Sequence, residues 1–296
     1  MTGPTTAVGI DIGGTHLRAA RVSNAGEIEE HLSERVPIDR QTLVRRISAL
    51  VDQLGSGTEY VGIGVPGRVQ IHDQIVLSAG FVDLANFPLA ATVANATGKS
   101  VFIDNDSRMA LIAERVIGAA MGLDEVVMLT IGTGVGGAVM SRGILLDGRG
   151  AAGQLGHLTI DMEGAACRCG RRGCLETTSS GTALHRLLAD AALSADLPIE
   201  RLFALAAEGD TGARAVLDQW SRPLRSAVDS LVAAFDPELM LLGGGLGRWA
   251  YQALQRVPPG SAWYQCSVMP AKLGDEAGVI GAALQALSRT VPQRPQ

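Results

Sequence analysis

The hydrophobic and polar positions of the first fifth of the chain follow two different periods. Residues 7–22, AVGIDIGGTHLRAARV, contain two apolar runs separated by glycines, which predicts two strands joined by a glycine turn. A third strand is expected in the segment that ends at Pro37. Residues 41–54 instead carry apolar side chains every three or four positions, so they are predicted to form a helix that packs on a core.

Strands and helices are then expected to alternate as far as residue 117. The predicted strands are 60–69, which contains a Pro-Gly turn, and 100–103. The predicted helices are 90–98 and 108–117. The polar stretch 78–89 is expected to be a loop that borders a pocket.

The pattern of the first hairpin returns at residues 126–140, VVMLTIGTGVGGAVM. An apolar strand again runs into a glycine loop, Gly132-Thr133-Gly134, where the first copy has Gly13-Gly14-Thr15. Each loop can present consecutive backbone N–H groups and a hydroxyl to the oxygens of a phosphate. Two such hairpins in one chain predict duplicated α/β halves that face each other across a cleft.

Beyond residue 180 the chain is predicted to be mainly helical. The predicted helices are 181–193, 200–208 and 212–235. Pro223 is expected to kink or divide the last of these. A buried strand at 239–247, LMLLGGGLG, opens into three glycines, which suit either a flat base or ribose on bare backbone or a tight strand-to-helix turn. An apolar helix at 278–287 precedes a loose tail at 291–296.

Composition and charge narrow the functional classes. The 296 residues are 47% hydrophobic and 19% charged with a net charge of −5, which allows a large core in one or two domains. There is no basic run, so nucleic acid is not an expected partner. No apolar run reaches the ~18 residues of a membrane span, and the N-terminal residues lack a signal-peptide pattern. These features, with most cysteines in one cluster, predict a cytoplasmic protein.

Acidic residues mark the ends of two predicted strands. Asp104-Asn105-Asp106 follows the strand 100–103, at the position where open α/β sheets bind ligands. The alternative is a helix N-cap provided by Asp106 or Ser107, but a cap does not need three such residues. Asp11, just before the first glycines, is either a metal- or phosphate-site group or an ordinary turn residue.

A cluster of sulfur and nitrogen ligands is the most specific chemical signal. Cys167, Cys169 and Cys174 lie within eight positions, and His157 lies ten residues before the first of them. Three thiolates and an imidazole form the closed four-ligand shell of structural zinc. The alternatives are a disulfide cluster or scattered buried thiols, but Cys167 and Cys169 are too close in the chain for an easy disulfide. Structural zinc is therefore predicted.

Together these motifs resemble the ROK family of sugar kinases and sugar-responsive repressors, over nearly the whole chain. The motifs are GIDIGGT at 9–15, DND at 104–106, TIGTGVGG at 130–137, GxxGH with CxCGxxGCLE at 153–176, and LLGGGL at 241–246. The resemblance implies an α/β, two-domain actin-like ATPase (ribonuclease H-like) fold with duplicated mixed β-sheets flanked by helices. The expected domains are 1–117 and 118–296, the second with the zinc site, and the last helix is a candidate to pack back on the first.

The resemblance also implies an ATP-dependent carbohydrate kinase, a phosphotransferase whose acceptor is an alcohol group of the sugar, with the 6-OH expected. Asp106 would be the base that takes the proton of the attacking hydroxyl. Asp11 would orient magnesium through water. His157 would ligate zinc through one ring nitrogen and face the sugar through the other.

The remaining roles are implied by the same family motifs. The triphosphate of ATP would be lined by Gly13, Gly14, Thr15, Thr133 and Gly134. The adenosine would be flanked by Gly244 and Gly245. The implied sugar ligands are Gly67, Asn105, Asp106, Gln154, His157 and Glu176. The implied zinc ligands are His157, Cys167, Cys169 and Cys174.

Two departures from the family pattern bear on the sugar. Gln154 stands where the family usually has Glu, which removes a charge and adds a hydrogen-bond donor. The loop 80–88, GFVDLANFP, lacks the asparagine-then-tryptophan pattern typical of glucokinases and places Phe81 and Val82 nearby. N-acetylmannosamine kinases of the family resemble this chain in diverging at both places and in the Phe-Pro-Leu of residues 87–89. N-acetylmannosamine is therefore favoured, with glucose, an aminosugar or a cyclitol as alternatives.

Two other functional classes compete with the kinase. A sugar-sensing regulator of the family would carry a helix-turn-helix ahead of the first glycine loop, whereas about eight residues precede Gly9. A sugar-binding protein that has lost catalysis is disfavoured by the retained Asp11 and Asp106. The prediction is a kinase of a small-molecule sugar, expected as a homodimer from the family resemblance, without a nucleic-acid or membrane partner.

Overall fold

The computed structural model describes residues 5–78 and 82–289, in two compact units. The first unit comprises residues up to 122, residues 145–153 and residues from 272 onward, and the second comprises 123–144 and 154–271. Residues 118–122 and 145–153, which the sequence division places in the second domain, thus lie in the first unit. Segment 145–153 belongs there through contacts with residues remote in the chain; the Gly150 carbonyl, for example, accepts the N–H of Ile71 at 3.2 Å.

A mixed sheet forms the centre of the first unit. The strands of this unit are β1 (Thr6–Ile12), β2 (His16–Ser23), β3 (Ile28–Arg35), β4 (Tyr60–Val65), β5 (Arg68–Gln70), β6 (Ile75–Ser78) and β7 (Ser100–Asn105). The five-stranded sheet has the order β3-β2-β1-β4-β7, and β5 and β6 form a separate hairpin. β1 is antiparallel to β2 and parallel to β4, which is parallel to β7. The carboxyl ends of β1, β4 and β7 therefore share one edge of the sheet.

The helices of the first unit cover this sheet. They are α1 (Arg40–Leu54), α2 (Leu89–Thr97), α3 (Asp106–Ile117) and the last helix of the chain, α9 (Ala277–Ser288). α9 packs directly on the backbone of two strands. A Cβ at Gly9 on β1 would lie 1.9 Å from the Val279 carbonyl oxygen, and one at Gly62 on β4 would lie 1.8 Å from the Ala282 oxygen. Glycine is thus required at both strand positions for this close approach.

The second unit repeats the strand arrangement. Its sheet contains β8 (Val126–Ile131), β9 (Val135–Ser141), β10 (Ile144–Leu145), β11 (Leu239–Gly243) and β12 (Ser267–Pro270). The order is β10-β9-β8-β11-β12, with β8 antiparallel to β9 and parallel to β11. Each central strand therefore leaves through a glycine loop into an antiparallel neighbour, as the repeated sequence pattern predicts.

Helices of the second unit pack around a buried tryptophan. They are α4 (Glu176–Ser179), α5 (Gly181–Asp190), α6 (Ile199–Glu208), α7 (Thr211–Phe235) and α8 (Gly247–Leu254). Trp220 on α7 is fully buried and donates its indole N–H to the Ser180 carbonyl at 3.0 Å. α7 continues through Pro223 as one helix, so the expected division does not occur. In the described part of the chain, the helices are too short or too polar to cross a bilayer.

The sequence pattern misses five short elements of the described chain, β6, β10, α4, α8 and β12. The glycines after β11 form a strand-to-helix turn into α8, the second of the two alternatives considered for them. β12 is four residues long and ends in a proline, so it carries too little periodic pattern to be recognised. The predicted tail 291–296 and residues 79–81 of the predicted loop 78–89 lie outside the described residues.

Candidate functional site

The end of β7 and the start of α3 bring three polar residues together. Asn105 is the N-cap of α3, because its Oδ1 accepts the backbone N–H groups of Ser107 at 3.0 Å and Arg108 at 3.3 Å. The cap is therefore Asn105, and not Asp106 or Ser107, the residues named in the alternative explanation of this motif. Asp106, at the first helical position, is consequently not needed as the cap.

The Asp106 carboxylate is held through one of its oxygens. Oδ1 accepts the backbone N–H of Ser107 at 2.7 Å and the side-chain amide of Asn105 at 2.8 Å. Burial raises the pKa of Asp106 from 3.8 to about 6, and the hydrogen bonds from Ser107 and Asn105 oppose the rise. A fixed carboxylate with a pKa closer to neutrality is suited to act as a general base.

The same Asn105 amide also fixes a turn. Its Nδ2 donates to the Gly67 carbonyl at 2.9 Å, and Gly67 has a φ of 94°, a conformation that favours glycine. Gly67, Asn105 and Asp106 thus form one hydrogen-bonded group. Their contacts with a sugar stay a prediction, while the geometry shows that Asn105 orients Asp106.

The first residue of the triple, Asp104, is structural. It is 1% exposed and pairs with Arg108, which is 3% exposed, through Oδ1 and Nε at 2.8 Å. Burial raises the pKa of Asp104, and the charge of Arg108 opposes the rise. Arg108 also donates to the Leu146 carbonyl at 2.6 Å and pairs with Asp147. The pair therefore ties the segment after β10 to the start of α3.

Asp11 lies near the carboxyl end of β1, opposite Arg18 on β2. Nη1 of Arg18 is 3.6 Å from Asp11 Oδ2, and its Nη2 is 2.9 Å from Asp275 Oδ2. Burial raises the pKa of Asp11 to about 7; the charge of Asp106 adds to the rise, and Arg18 opposes it. A Cβ at Gly278 would lie 2.7 Å from Asp11 Cγ, so the start of α9 confines the carboxylate.

Asp11 and Asp106 lie on either side of Gly64 of β4. A Cβ at Gly64 would be 3.6 Å from Asp11 Oδ1 and 3.5 Å from Asp106 Cα. The charge of Asp106 raises the pKa of Asp11, and a divalent cation beside the two carboxyl groups would make both easier to ionise. This edge of the first sheet therefore offers the oxygen donors that magnesium prefers.

The first predicted phosphate loop, residues 13–15, joins β1 to β2. Gly13 closes the turn by donating its N–H to the His16 carbonyl at 2.9 Å, and a Cβ at Gly13 would lie 2.9 Å from that oxygen. Gly14 and Thr15 are exposed. The loop thus presents exposed backbone two residues after Asp11.

The second predicted phosphate loop, residues 132–134, joins β8 to β9 and lies against the start of α4. Glu176 Oε2 accepts the N–H of Val135 at 3.0 Å. A Cβ at Gly134 would lie 2.4 Å from the same oxygen, so a side chain there would displace the Glu176 carboxylate. One oxygen of Glu176, a predicted sugar ligand, is therefore directed to the backbone beside this loop.

The glycines after β11 turn the chain against the end of β8. Gly244 has a φ of 79°, and a Cβ there would lie 2.6 Å from the Ile131 carbonyl oxygen. The N–H of Leu246 donates to that oxygen at 2.9 Å. Gly245 is exposed and has open space where a Cβ would be. Gly244 and Gly245, the predicted adenosine residues, thus lie beside the strand that leads into the second glycine loop.

The four predicted metal ligands meet in the second unit. One ligand atom each from His157, Cys167, Cys169 and Cys174 lies within 4.8 Å of all the others. Cys167 Sγ is 3.6 Å from His157 Nδ1, and Cys169 Sγ is 3.6 Å from Cys174 Sγ. Ligands around a tetrahedral zinc with bonds of about 2.0–2.3 Å are roughly 3.5–3.8 Å apart. The cluster fits a tetrahedral ion, and Nδ1 is the His157 nitrogen that faces it.

The thiols of the cluster are free, and they differ in acidity. Hydrogen bonding from the backbone N–H of Arg171 lowers the pKa of Cys169 to about 7. Burial raises the pKa of Cys174 to about 12. Because a coordinated cation favours the thiolate, a bound metal would overcome the cost of ionising Cys174.

The two units divide the predicted site residues between them. The first unit contains Asp11, Gly13, Gly14, Thr15, Gly67, Asn105 and Asp106. The second contains Thr133, Gly134, Gln154, His157, Glu176, Gly244 and Gly245. Sequence reasoning misses Arg18 and Arg108. Arg18 could have been identified from the alternation of side chains along the first hairpin, which places it opposite Asp11.

The comparison with known proteins decides the family. A family model described as the ROK family matches residues 7–289. The chain belongs to the ROK family. A glucokinase of Thermotoga maritima is 34% identical to this ROK-family chain, and the match covers 93% of the chain and 95% of that protein. An N-acetylmannosamine kinase of Haemophilus influenzae is 33% identical, with 93% of both proteins covered.

A solved structure agrees with this membership. The ROK family glucokinase from Streptomyces griseus, in complex with glucose and AMPPNP, matches with a TM-score of 0.83 at 31% identity, over 96% of this chain and 99% of that one. The ROK-family chain therefore has the α/β actin-like ATPase fold, with mixed sheets flanked by helices. This confirms the predicted fold class.

Proposed function

We propose that this chain is an ATP-dependent sugar kinase that transfers the γ-phosphate of MgATP to a hydroxyl, expected to be the 6-OH, of a hexose or N-acetylhexosamine. The observation that carries the proposal is Asp106, a partly buried carboxylate fixed at the end of β7, close to Asp11. The relatives named glucokinase and N-acetylmannosamine kinase support it, as do the glucose and AMPPNP held by the Streptomyces griseus structure.

The residues of the proposed site act by positioning and by balancing charge. Phosphoryl transfer has a loose transition state and asks for little covalent chemistry from the protein. Asp106 would accept the proton of the attacking hydroxyl, and Asp11 would hold the metal through water. Bound magnesium supplies neutralisation of the phosphate charge. N–H groups of the loops 13–15 and 132–134 would donate to phosphate oxygens, apart from those of Gly13 and Gly132, which donate to His16 and Gly134. Gly244 and Gly245 would flank the adenosine.

The four-ligand cluster is proposed to hold structural zinc. His157 and the three cysteines provide a complete tetrahedral set, and such closed shells are typical of structural rather than catalytic zinc. If Nδ1 of His157 binds the metal, Nε2 is left to face a sugar hydroxyl. The zinc would then fix the orientation of a sugar ligand as well as the surrounding loop.

The favoured sugar is N-acetylmannosamine, with glucose, an aminosugar or a cyclitol as alternatives. Gln154 in place of the family Glu is the residue that supports an uncharged contact to the sugar. Val82, expected to add apolar bulk near the sugar, is 2% exposed and belongs to the core of the first unit, so it does not support the choice. A homodimer and a cytoplasmic location stay predictions from the sequence.

ADP release from MgATP across a sugar panel tests the proposed function. The panel contains glucose, mannose, N-acetylmannosamine, N-acetylglucosamine, aminoglucoses and cyclitols, with Asp106→Asn as the blank. Turnover that depends on one sugar is expected. No turnover and no sugar-dependent thermal shift anywhere in the panel would overturn the kinase proposal.

Gln154→Glu is expected to shift the ratio of kcat/KM from N-acetylmannosamine toward glucose by about tenfold, because it restores a charged acceptor. An unchanged ratio would remove Gln154 from sugar selection.

The pH dependence of kcat/KM should show an acid limb that reports Asp106. Burial raises the pKa of this carboxyl to about 6, and only its ionised form can take a proton. At saturating Mg²⁺ the rate is therefore expected to fall about tenfold per pH unit below ~6. Unfolding does not explain such a fall, since a carboxyl with a raised folded pKa favours the folded state as it protonates. Thermal melts at each pH check this, and a flat profile down to about pH 5 would exclude Asp106 as the titrating base.

A further inference from the structure

The second glycine loop, residues 132–134, is held by contacts from residues 175–182, the segment that directly follows the metal ligand Cys174. We call this segment the brace. At one end of this brace, Glu176 Oε2 accepts the N–H of Val135 at 3.0 Å. The carboxylate lies so close that a Cβ at Gly134 would be 2.4 Å from it. A charged acceptor on a backbone N–H makes a stronger bond than a neutral one. The exit of the loop is therefore fixed from α4.

The other end of the brace holds the entry of the loop. The N–H of Gly181 donates to the Gly132 carbonyl at 2.8 Å. The hydroxyl of Thr182 donates to the Thr133 carbonyl at 2.8 Å. Both carbonyls are thus turned toward the start of α5. The two carbonyl oxygens are therefore held by donors of α5.

The brace begins directly after a metal ligand. Cys174 lies two residues before Glu176, and the residue between them, Leu175, donates its N–H to the Leu158 carbonyl at 2.9 Å. Leu158 directly follows His157, another ligand of the cluster. The residues that directly follow two of the four ligands are therefore joined by a backbone hydrogen bond, next to Glu176.

We propose that Glu176 and Thr182 are positioning residues for the nucleotide. A metal bound by the cluster would fix the conformation of residues 175–182, and Glu176 and Thr182 would in turn fix the second phosphate loop. The proposal rests on the proposed function, because the ligand of the loop is taken to be the phosphates of ATP. N–H donors stabilise an anion most when they are already oriented, since no free energy is then spent on ordering them. Bound zinc would thus support nucleotide binding through the brace, in addition to its proposed role of orienting His157 toward the sugar.

Calorimetric titration with MgADP and with Mg-AMPPNP, without sugar, tests the proposal on the zinc-loaded protein. Thr182→Val removes the hydroxyl at nearly constant shape, and Kd is expected to rise about three- to tenfold, the effect of one hydrogen bond. Thr182→Ser keeps the hydroxyl and is expected to restore most of the affinity. Zinc content and the KM for sugar are expected to stay at the wild-type values, which a general loss of structure would not allow.

A matched control and a coupled variant complete the test. Ser230 donates its hydroxyl to the Ser226 carbonyl at 2.8 Å on α7, so Ser230→Ala removes the same kind of bond outside the brace and should leave Kd unchanged. Cys169→Ser, which is expected to lose zinc, should itself raise Kd. Adding Thr182→Val to Cys169→Ser should then raise Kd by less than it does in the zinc-loaded protein, because the two changes act on one path.

The outcomes separate the brace from the kinase. A Kd within about twofold of wild type for Thr182→Val, at full zinc content, overturns the brace even if the sugar panel shows turnover. An unchanged Kd in Cys169→Ser after loss of zinc overturns the link to the metal. If the wild type binds nucleotide but phosphorylates no sugar, and Thr182→Val still raises Kd, the kinase proposal fails while the brace stands.

Discussion

Replacing Asp106 by Asn is expected to lower kcat by about 10²–10⁴-fold, the usual contribution of a general base. The amide has the same shape, and its oxygen can still accept the N–H of Ser107 that now reaches Oδ1 at 2.7 Å. It cannot take a proton from the attacking hydroxyl. The fold and the affinity for sugar should therefore stay near wild type. ADP release gives kcat, and sugar-dependent thermal shifts give the binding.

The control for this variant is Asp52→Asn. Asp52 is exposed on α1 of the same unit, so it undergoes the same change from carboxylate to amide away from the strand edge. Its kcat should match the wild type. If Asp106→Asn also turned over at close to the wild-type rate, Asp106 would not be the base, and the proposed chemistry would need another proton acceptor.

Cys169→Ser is expected to reduce the metal content from about one zinc per chain to nearly none, because a serine hydroxyl is a poor replacement for a thiolate. The second unit should also unfold at a lower temperature, since the free energy of metal binding contributes to folding. Sugar affinity should fall as well, because His157 would lose the metal that orients it. Elemental analysis and thermal unfolding, measured on the same preparation, give the two readouts.

Cys266→Ser provides the comparison. Cys266 is a free cysteine outside the cluster; burial raises its pKa, and the charges of Asp229 and Asp236 add to the rise. This variant should retain full zinc while losing one thiol from the same unit. Full zinc in Cys169→Ser would remove Cys169 from the ligand set, and zinc loss in both variants would show that general destabilisation, not ligand removal, empties the cluster.

Local patterns predicted most of the helices, strands and turns of this chain. α1 and α6 show helical spacing of apolar residues, and the two glycine hairpins repeat one pattern, so neighbouring residues alone define them. The grouping of the metal ligands could also be predicted from the sequence, because only a short turn separates Cys167 from Cys174. Gly173 makes that turn possible, since a Cβ there would lie 1.4 Å from the Asp161 carbonyl oxygen.

Contacts between remote segments were not readable from the sequence. Glu176 reaches Val135 across 41 positions, and Arg108 reaches Leu146 across 38. Each contact depends on the tertiary arrangement of two segments, and neither segment has a sequence pattern that indicates the other as its partner. The N-cap of α3 shows the same limit at short range. Asn105, Asp106 and Ser107 are all acceptable cap residues, and only the structure shows that β7 ends at Asn105 and that its side chain caps the helix.

The packing of α9 on β1 and β4 bears on how the protein is made. β1 is synthesised long before α9, because β2 to β12 and α1 to α8 lie between them in the chain, so this face of the first sheet stays uncovered until all of those elements have been made. The second unit, whose residues all lie between 123 and 271, is complete earlier. The second unit should therefore be the first to fold during synthesis. β1 and β4 would be covered by α9 only afterwards, and until then they would be accessible to chaperones.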